Sequence, residues 1–511
     1  MSKVIVRGEA CRKSLKKGLD EVVDTVKVTI GPKGRNIAME GGFDPLIAND
    51  AGTIAKDIIL KDKVENIGAS VAKMVIRKTS EKVGGGRTAS AILTQAIFNE
   101  GLSLVEKGAN VNEIKKGMEK ASKDITEGLR KLATPVKTKE ELKQVATIST
   151  ESEEFGEIIA NVVHKVGKNG IVTIEESDEL SYEVTEGLKF DKGWISPYLV
   201  SNQDRMEAEI ANVPILLVDK KVSMFKELMP VLKRITSTGV KDLVLIAEDI
   251  DGDALPHIIM NKIQGMLNIL AIKTPGFGDQ KRDWLEDIST SVGATVVSDQ
   301  NGISYETVTL GHARKVISTK DHTVIIGGDT KEQVKKLTKQ KELTDNKFEK
   351  DKLEKRIAVL SNGIAVIKVG AATESEMKYK KLKLEDGVNE AKRALEEGVV
   401  VGGDCAFLIA RGEKHEGTDD LTKGYNAVWS AVEAPLRQIA TNAGDSADIV
   451  VKEVSNGKFY DASDNSLYTE KRGILDAVKV PCTALENAVS GASMLLTTEG
   501  AVVEVEDKSN N

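Results

Sequence analysis

Aromatic residues are scarce: Phe, Trp and Tyr make up 4% of the 511 residues. The interior must therefore be filled by Val, Ile, Leu and Ala. There are only three cysteines, Cys11, Cys405 and Cys482, far apart, odd in number and without a CxxC pair. That excludes a disulfide frame and a zinc knuckle, and it suits a reducing compartment. Five scattered histidines (His164, His257, His312, His322, His415) show no metal-ligand spacing, so a histidine-built metal centre is excluded. No apolar run is long enough to span a bilayer, and the opening MSKVIVRGEACRK has no apolar signal core. The reading is a cytoplasmic protein with no membrane partner. A basic field is missing as well: the net charge is −7, which argues against a nucleic-acid partner. What remains is an ordinary globular composition, 30% charged and 40% hydrophobic, in a chain of about two to four domains.

Leu15, Leu19, Val22, Val26 and Ile30 recur at helical spacing and predict an amphipathic helix that stops at Gly31-Pro32. TIGPKGRNIAME then reads as a helix end, a basic tight loop and a strand, and Asp50 lies in a polar turn before another helix. From Thr134 helical text ends at KNGIVTIEES, a strand after an Asn-Gly turn. Beyond Gly187, PILLVDKKV, DLVLIAEDI, LNILAIKTP and GATVVSDQ are short apolar runs between helical segments, the rhythm of an α/β layer domain. The charged run Lys331 to Leu360 predicts a solvated helical hairpin. The strand GIAVIKVG ends at Gly370, helices return, and the polar tail EDKSNN predicts disorder. The order helical, mixed, α/β, mixed, helical predicts an α/β domain nested inside a helical one.

VGGGRTASAIL, Val83 to Leu93, runs three glycines into a helix. It is neither a Walker A sequence nor a dinucleotide fingerprint. A flexible turn explains it as readily as an anion site built from free backbone N–H groups and the helix dipole.

Read in order, TIGPKGRN, NDAGTIAKDI, GGGRTASAILTQAI, LEDGVNEAKRALEEGVVVGGD and FYDASDN…GILD resemble the bacterial-type chaperonins, the GroEL family. KFDKGWISPYL, TPGFGDQKR, VIKVGAATE and EAPLRQI extend the resemblance from about residue 3 to 503. It implies a multidomain α and α/β fold. A mainly helical equatorial domain would span 1–131 and 397–511, and a small α+β intermediate domain 132–186 and 371–396. An inserted α/β apical domain would span 187–370. It implies an ATP-hydrolysing chaperone with ATP and Mg²⁺ as cofactors, and K⁺ as a further cation. The implied partners are non-native polypeptides, a GroES-like co-chaperonin, and further copies of the chain in a ring, heptameric and single or double.

Carried onto matching positions, the resemblance places Ile30, Gly31 and Pro32 on the phosphate side of an ATP pocket. Gly84, Gly85, Gly86, Arg87 and Thr88 would wrap the phosphates, and Gly402 and Gly403 would admit the nucleotide closely. Tyr460, Asp461, Ala462 and Asp476 would flank adenine and ribose. Asp386 matches the carboxylate that orients the attacking water; its residue-level alternative is a helix N-cap, with Val388, Ala391 and Leu395 following at helical spacing. Asp50 matches an acidic residue near Mg²⁺ and phosphates, against simple turn chemistry. Clients would bind Trp194, Tyr198, Leu199, Met229, Leu232, Leu255, Ile259 and Met260, whose alternative is core packing. Gly187 and Gly370 would be hinges, or ordinary turns.

Some positions depart from the family. Its phosphate loop reads Gly-Asp-Gly-Thr-Thr; here Gly85 replaces the metal-binding aspartate and Arg87 a threonine. Asn49 stands for lysine, Asp461 for asparagine and Asp404 for glycine, and Arg437 faces a matched position, Ser446, that is not acidic. Three placements of Arg87 are open: in solvent, paired with Asp50 or Asp386, or on the phosphates in place of metal charge. Two functions follow: an ATP-cycling chaperonin, or a hydrolysis-poor holdase or binding scaffold of the same fold.

Overall fold

In the computed structural model the described residues are 3–40, 45–168, 170–185, 187–203, 205–299, 302–344, 346–361, 363–469 and 473–504. The polar tail lies outside them. Two compact units emerge, one of Met1–Lys168, Ile174–Ser181 and Lys368–Asn511, the other of Asn169–Thr173 and Tyr182–Ile367.

The first unit is mainly helical. Helix Gly8–Val26 buries Cys11, Leu15, Leu19, Val22, Val23 and Val26 along one stripe. It packs on helix Lys63–Val83 so closely that two glycines are needed at the crossing. A Cβ on Gly18 would lie 1.7 Å from Glu65 O, and one on Gly68 2.0 Å from Leu15 O. Small residues there let apolar stripes mesh at backbone distance. Helices start where the sequence offers caps: Asp62 accepts from Val64 and Glu65 N–H, and Thr138 forms a capping box with Glu141. Two short antiparallel ribbons flank the helical core, Lys3–Arg7 with Gly500–Glu504 and Ile37–Met39 with Leu46–Ala48, lending it Ala501 and Ala48.

The second unit holds a seven-stranded sheet. Ala208–Val218, Asp242–Ala247 and Asn268–Lys273 run parallel, in register Ile215↔Val244 and Val244↔Leu270. Their connections carry helices Phe225–Thr236 and Ala254–Ile263, the βαβ pattern that apolar runs predict. Gly311–Ser318, Thr323–Ile326 and Gly187–Phe190 extend the sheet antiparallel. Leu243 to Ala247 are buried without a polar alternation, as strands covered on both faces are.

The charged hairpin, helices Lys331–Leu343 and Lys347–Ser361, is more than a solvated one. Leu337 and Leu360 are core residues, and the Arg356 guanidinium donates to Asp283, Glu286 and Asp287 of helix Asp279–Val292. A multivalent guanidinium anchor of this kind is invisible in a count of charges. Among the described residues, no helix is long and apolar enough to cross a membrane.

Candidate active site

The three glycines end one helix and start the next, each for its own reason. Gly84 (φ 88°) closes helix Lys63–Val83, its N–H donating to Ser80 O. Gly86 (φ 72°) is the left-handed N-cap of helix Arg87–Glu106. Both conformations favour glycine. Gly85 has no positive φ, but a Cβ there would lie 1.5 Å from Glu390 Oε1. The loop thus presents the N-terminus of a 20-residue helix to a cavity of about 580 Å³ within the first unit.

That cavity gathers residues distant in sequence. Ile30, Gly31, Pro32, Asp50, Gly84 to Thr88, Asp386, Gly403, Asp461, Ala462 and Asp476 all line it, with Tyr460. Gly402 sits behind the lining, where a Cβ would meet Asp476 Oδ1 at 2.8 Å. Residues the sequence reading did not single out also line it, among them Thr147, Ser149, Glu151, Lys383 and Glu390. Glu390 was traceable in principle: it follows Asp386 by one helical turn, on the same face.

Arg87 is the centre of the phosphate end. Its Nη1 and Nη2 donate to Asp386 Oδ2 and Oδ1 at 2.8 and 2.6 Å, a bidentate pair. Nη1 also donates to Asp50 Oδ1 at 2.5 Å, and Nε to Ser80 Oγ at 2.8 Å. All three charged side chains are at most 14% exposed. Of the three open placements, pairing with carboxylates is the one observed, and with both aspartates at once. Asp50 fills two roles: Oδ2 caps helix Ala51–Asp57 by accepting from Thr53 N–H and Oγ1, while Oδ1 faces Arg87.

Asp386 is not a helix N-cap. Helix Glu374–Glu397 starts thirteen residues earlier than the apolar spacing suggests, at the Thr373 cap rather than at Asp386, because EMKYKKLKLED holds strong helix formers and no breaker. Asp386 is mid-helix and its carboxylate is turned to Arg87.

Burial sets the protonation of this cavity. It pushes Asp386 up to about 7, with the Asp50 charge adding and Arg87 only partly offsetting. Asp50 goes the other way: burial opposes ionisation, but the Arg87 charge and the Thr53 donors hold it below the usual range. Burial, with Asp476 nearby, raises Asp404 to about 7. Asp476 rises to about 6 by burial, the Gly403 N–H pulling back. Glu390 is raised well above its ordinary value by burial and by the charges of Asp476 and Asp386. The cavity therefore carries less negative charge at neutral pH than its carboxylates number. Asp404, a left-handed residue at φ 59°, heads helix Cys405–Ala410 without a side-chain cap bond. Asp461 Oδ1 accepts from Ser463 N–H and Oγ, and Tyr460 O–H donates to Asp445.

The residues do not fit Mg²⁺ as arranged. Position 85 offers no carboxylate, Asp50 and Asp386 are committed to Arg87, and among the described residues no group of three or more His, Cys, Asp or Glu could hold a metal ion.

In the second unit, Tyr198 is 69% and Met260 51% exposed, and Met229 is at the surface. Trp194, Leu255 and Ile259 are half-buried against the core, Trp194 donating to Met206 O. Leu199 and Leu232 are core residues, 0% and 3% exposed, because their positions turn inward beneath that surface. Ile263, Met266, Met224, Met206 and Phe277 are exposed apolar residues that spacing did not flag. Gly187 and Gly370 both have negative or extended φ. Each is required by close approach: a Cβ would lie 2.4 Å from Ile325 O at Gly187 and 2.4 Å from Asp178 O at Gly370. Arg437 pairs within the chain, with Glu433 and Asp448, and Asn49 donates to Glu151.

The chaperonin of bacteriophage EL (Pseudomonas aeruginosa), crystallised in the presence of ATP-BeFx, has a similar fold, with a TM-score of 0.68 at 19% identity. The match covers 98% of this chain and 100% of the phage protein. Residues 22–506 match the TCP-1/cpn60 chaperonin family. The chain belongs to that family.

Proposed function

We propose that this protein is a chaperonin subunit that binds ATP in the cavity of the first unit and non-native polypeptides on the second. The observation that carries the reading is the convergence on one cavity of the glycine loop, a long helix N-terminus, Asp50 and Asp386. The loop would take the phosphates, and Asp461, Ala462 and Asp476 the nucleoside. Clients would lie on the apolar surface around Tyr198, Met229 and Met260, where flexible methionines adapt to varied sequences. The same surface would accept a GroES-like lid. Domain limits at 131, 186, 370 and 396 and hinges at Gly187 and Gly370 belong to this reading.

Assembly into a ring of copies, heptameric and single or double, is supported by the two-stranded ribbons. Their open edges and the exposed Val4, Ile5, Ile47 and Val502 offer strand pairing between chains. Arg437, already paired within the chain, gives no support to a second ring.

The Arg87–Asp386 pair favours a second reading, a holdase that binds nucleotide but hydrolyses it poorly. A carboxylate locked in a bidentate pair cannot orient a water, and a missing metal ligand costs orders of magnitude in phosphoryl transfer. Steady-state ATPase separates the two. The native protein is compared with Gly85→Asp/Arg87→Thr/Glu390→Ala, with Asp386→Ala as blank, alongside suppression of client aggregation. Turnover well above the blank supports ATP cycling. Turnover at the blank, restored in the triple variant, with aggregation still suppressed, supports the holdase. Loss of both activities in the folded native protein refutes the chaperone reading.

A further inference from the structure

A nucleotide's phosphates need a counter-charge, and the usual one is a hard divalent ion held by carboxylate oxygens. Here the carboxylates at the phosphate end are already taken. Asp386 gives both oxygens to Arg87, and Asp50 gives one to Arg87 and one to Thr53. The loop position that would supply a third is Gly85, and the Glu390 carboxylate fills the space its side chain would occupy, 1.5 Å from an added Cβ. Glu390 is 7% exposed, so that substitution of one acidic residue for another is built into the packing.

What stands where the carboxylates converge is a cation belonging to the protein. Arg87 is the first residue of helix Arg87–Glu106, so its guanidinium charge adds to the positive helix end. Of its five N–H groups, four are engaged: Nε with Ser80, both on Nη1, and one on Nη2. The remaining Nη2–H can reach a phosphate oxygen without a break in the network, and the fork that holds Asp386 matches phosphate geometry equally well.

We infer that Arg87 is the resident cation of this pocket and that the nucleotide it takes binds free of divalent metal. The inference rests on the nucleotide reading above. Phosphate taken on the remaining Nη2–H leaves Asp386 and Asp50 held by Arg87, so no carboxylate is released to a metal ion. Arg87 is on this account a specificity-determining residue, selecting uncomplexed nucleotide over its Mg²⁺ complex.

The test is binding of ADP and of ATP to the full-length native protein by calorimetry, once in EDTA and once in MgCl₂. ATP is expected to bind about tenfold or more tightly in EDTA than in MgCl₂, and Mn²⁺ added with ADP gives no protein-bound signal by electron paramagnetic resonance. In EDTA, Arg87→Gln weakens binding by about tenfold or more, whereas Gly85→Asp/Arg87→Thr/Glu390→Ala gains a divalent dependence of about tenfold. Native binding that is as tight in MgCl₂ as in EDTA, or tighter, or protein-bound Mn²⁺ beside the nucleotide, overturns this inference and leaves the nucleotide reading intact. Absence of binding in both buffers overturns the nucleotide reading and this inference with it. The native comparison stands even where a variant fails to fold.

Discussion

Gly85 and Glu390 are coupled by packing, and the coupling has a sign that can be measured. An alanine Cβ at position 85 would lie 1.5 Å from Glu390 Oε1 and 2.7 Å from Cδ. The carboxylate must swing aside in a buried, acidic site, an overpacking cost of about 1–3 kcal/mol. Nothing in the backbone opposes alanine, because Gly85 has no positive φ. With Glu390→Ala as background the clash is gone, and Gly85→Ala then stabilises by about 0.4–1 kcal/mol through the unfolded chain. The same substitution thus changes sign between backgrounds, with a coupling of about 1.5–4 kcal/mol. Urea unfolding of the four proteins, followed by circular dichroism, reads the cycle. An equal effect of Gly85→Ala in both backgrounds would refute the placement of Glu390 against the loop, and with it the reason given for the third glycine.

Other expectations follow from burial. Asp404 and Asp476 hold protons to about 7 and about 6 in the fold, against ordinary values of 3.8. Raised folded values mean stability that is fully present in acid and lost as pH climbs from about 4 through about 7. Asp404→Asn, which tolerates the left-handed φ, should stabilise by about 1–3 kcal/mol near pH 8 and do little near pH 4; a pH-independent effect in thermal melts would contradict this. Leu19→Ala, at a position 0% exposed, should cost about 2–5 kcal/mol, and an effect below about 1 would place the helix stripe elsewhere. Tyr198→Ser with Met260→Ser should reduce capture of an unfolded client by several-fold while the melting curve stays put, and unchanged capture would remove that surface from the account.

The periodicities that build the fold were readable. Leu15, Leu19, Val22 and Val26 announce the first helix, and the apolar runs at Ile215, Leu243 and Ile269 announce the parallel strands. Asp50 and Asp386 were placed beside the glycine loop through the family resemblance and not by their own spacing, and both line the cavity there. What could not be read is whatever depends on approach between distant segments. Arg87 was compatible with three placements until Asp50 and Asp386 were brought to it from far along the chain. Glu390 looked like one more helical acid, and only the fold lays its carboxylate on Gly85. Apolar letters alone do not say which way a side chain points, so Leu199 and Leu232 turned inward while Phe277, between two glycines, stands in solvent. Helix starts depend on caps more than on apolar spacing, which is why Thr373, and not Asp386, opens its helix.

The central claim is that nucleotide phosphates bind at the Gly84–Thr88 loop and that Arg87 supplies the charge there. A structure determined with ATP and MgCl₂ tests it most directly. The account predicts phosphate density over the loop, the Arg87 guanidinium on a phosphate oxygen, and no metal density between Asp50 and the phosphates. Phosphates elsewhere, or a metal ion held by Asp50 with Arg87 displaced, would contradict it.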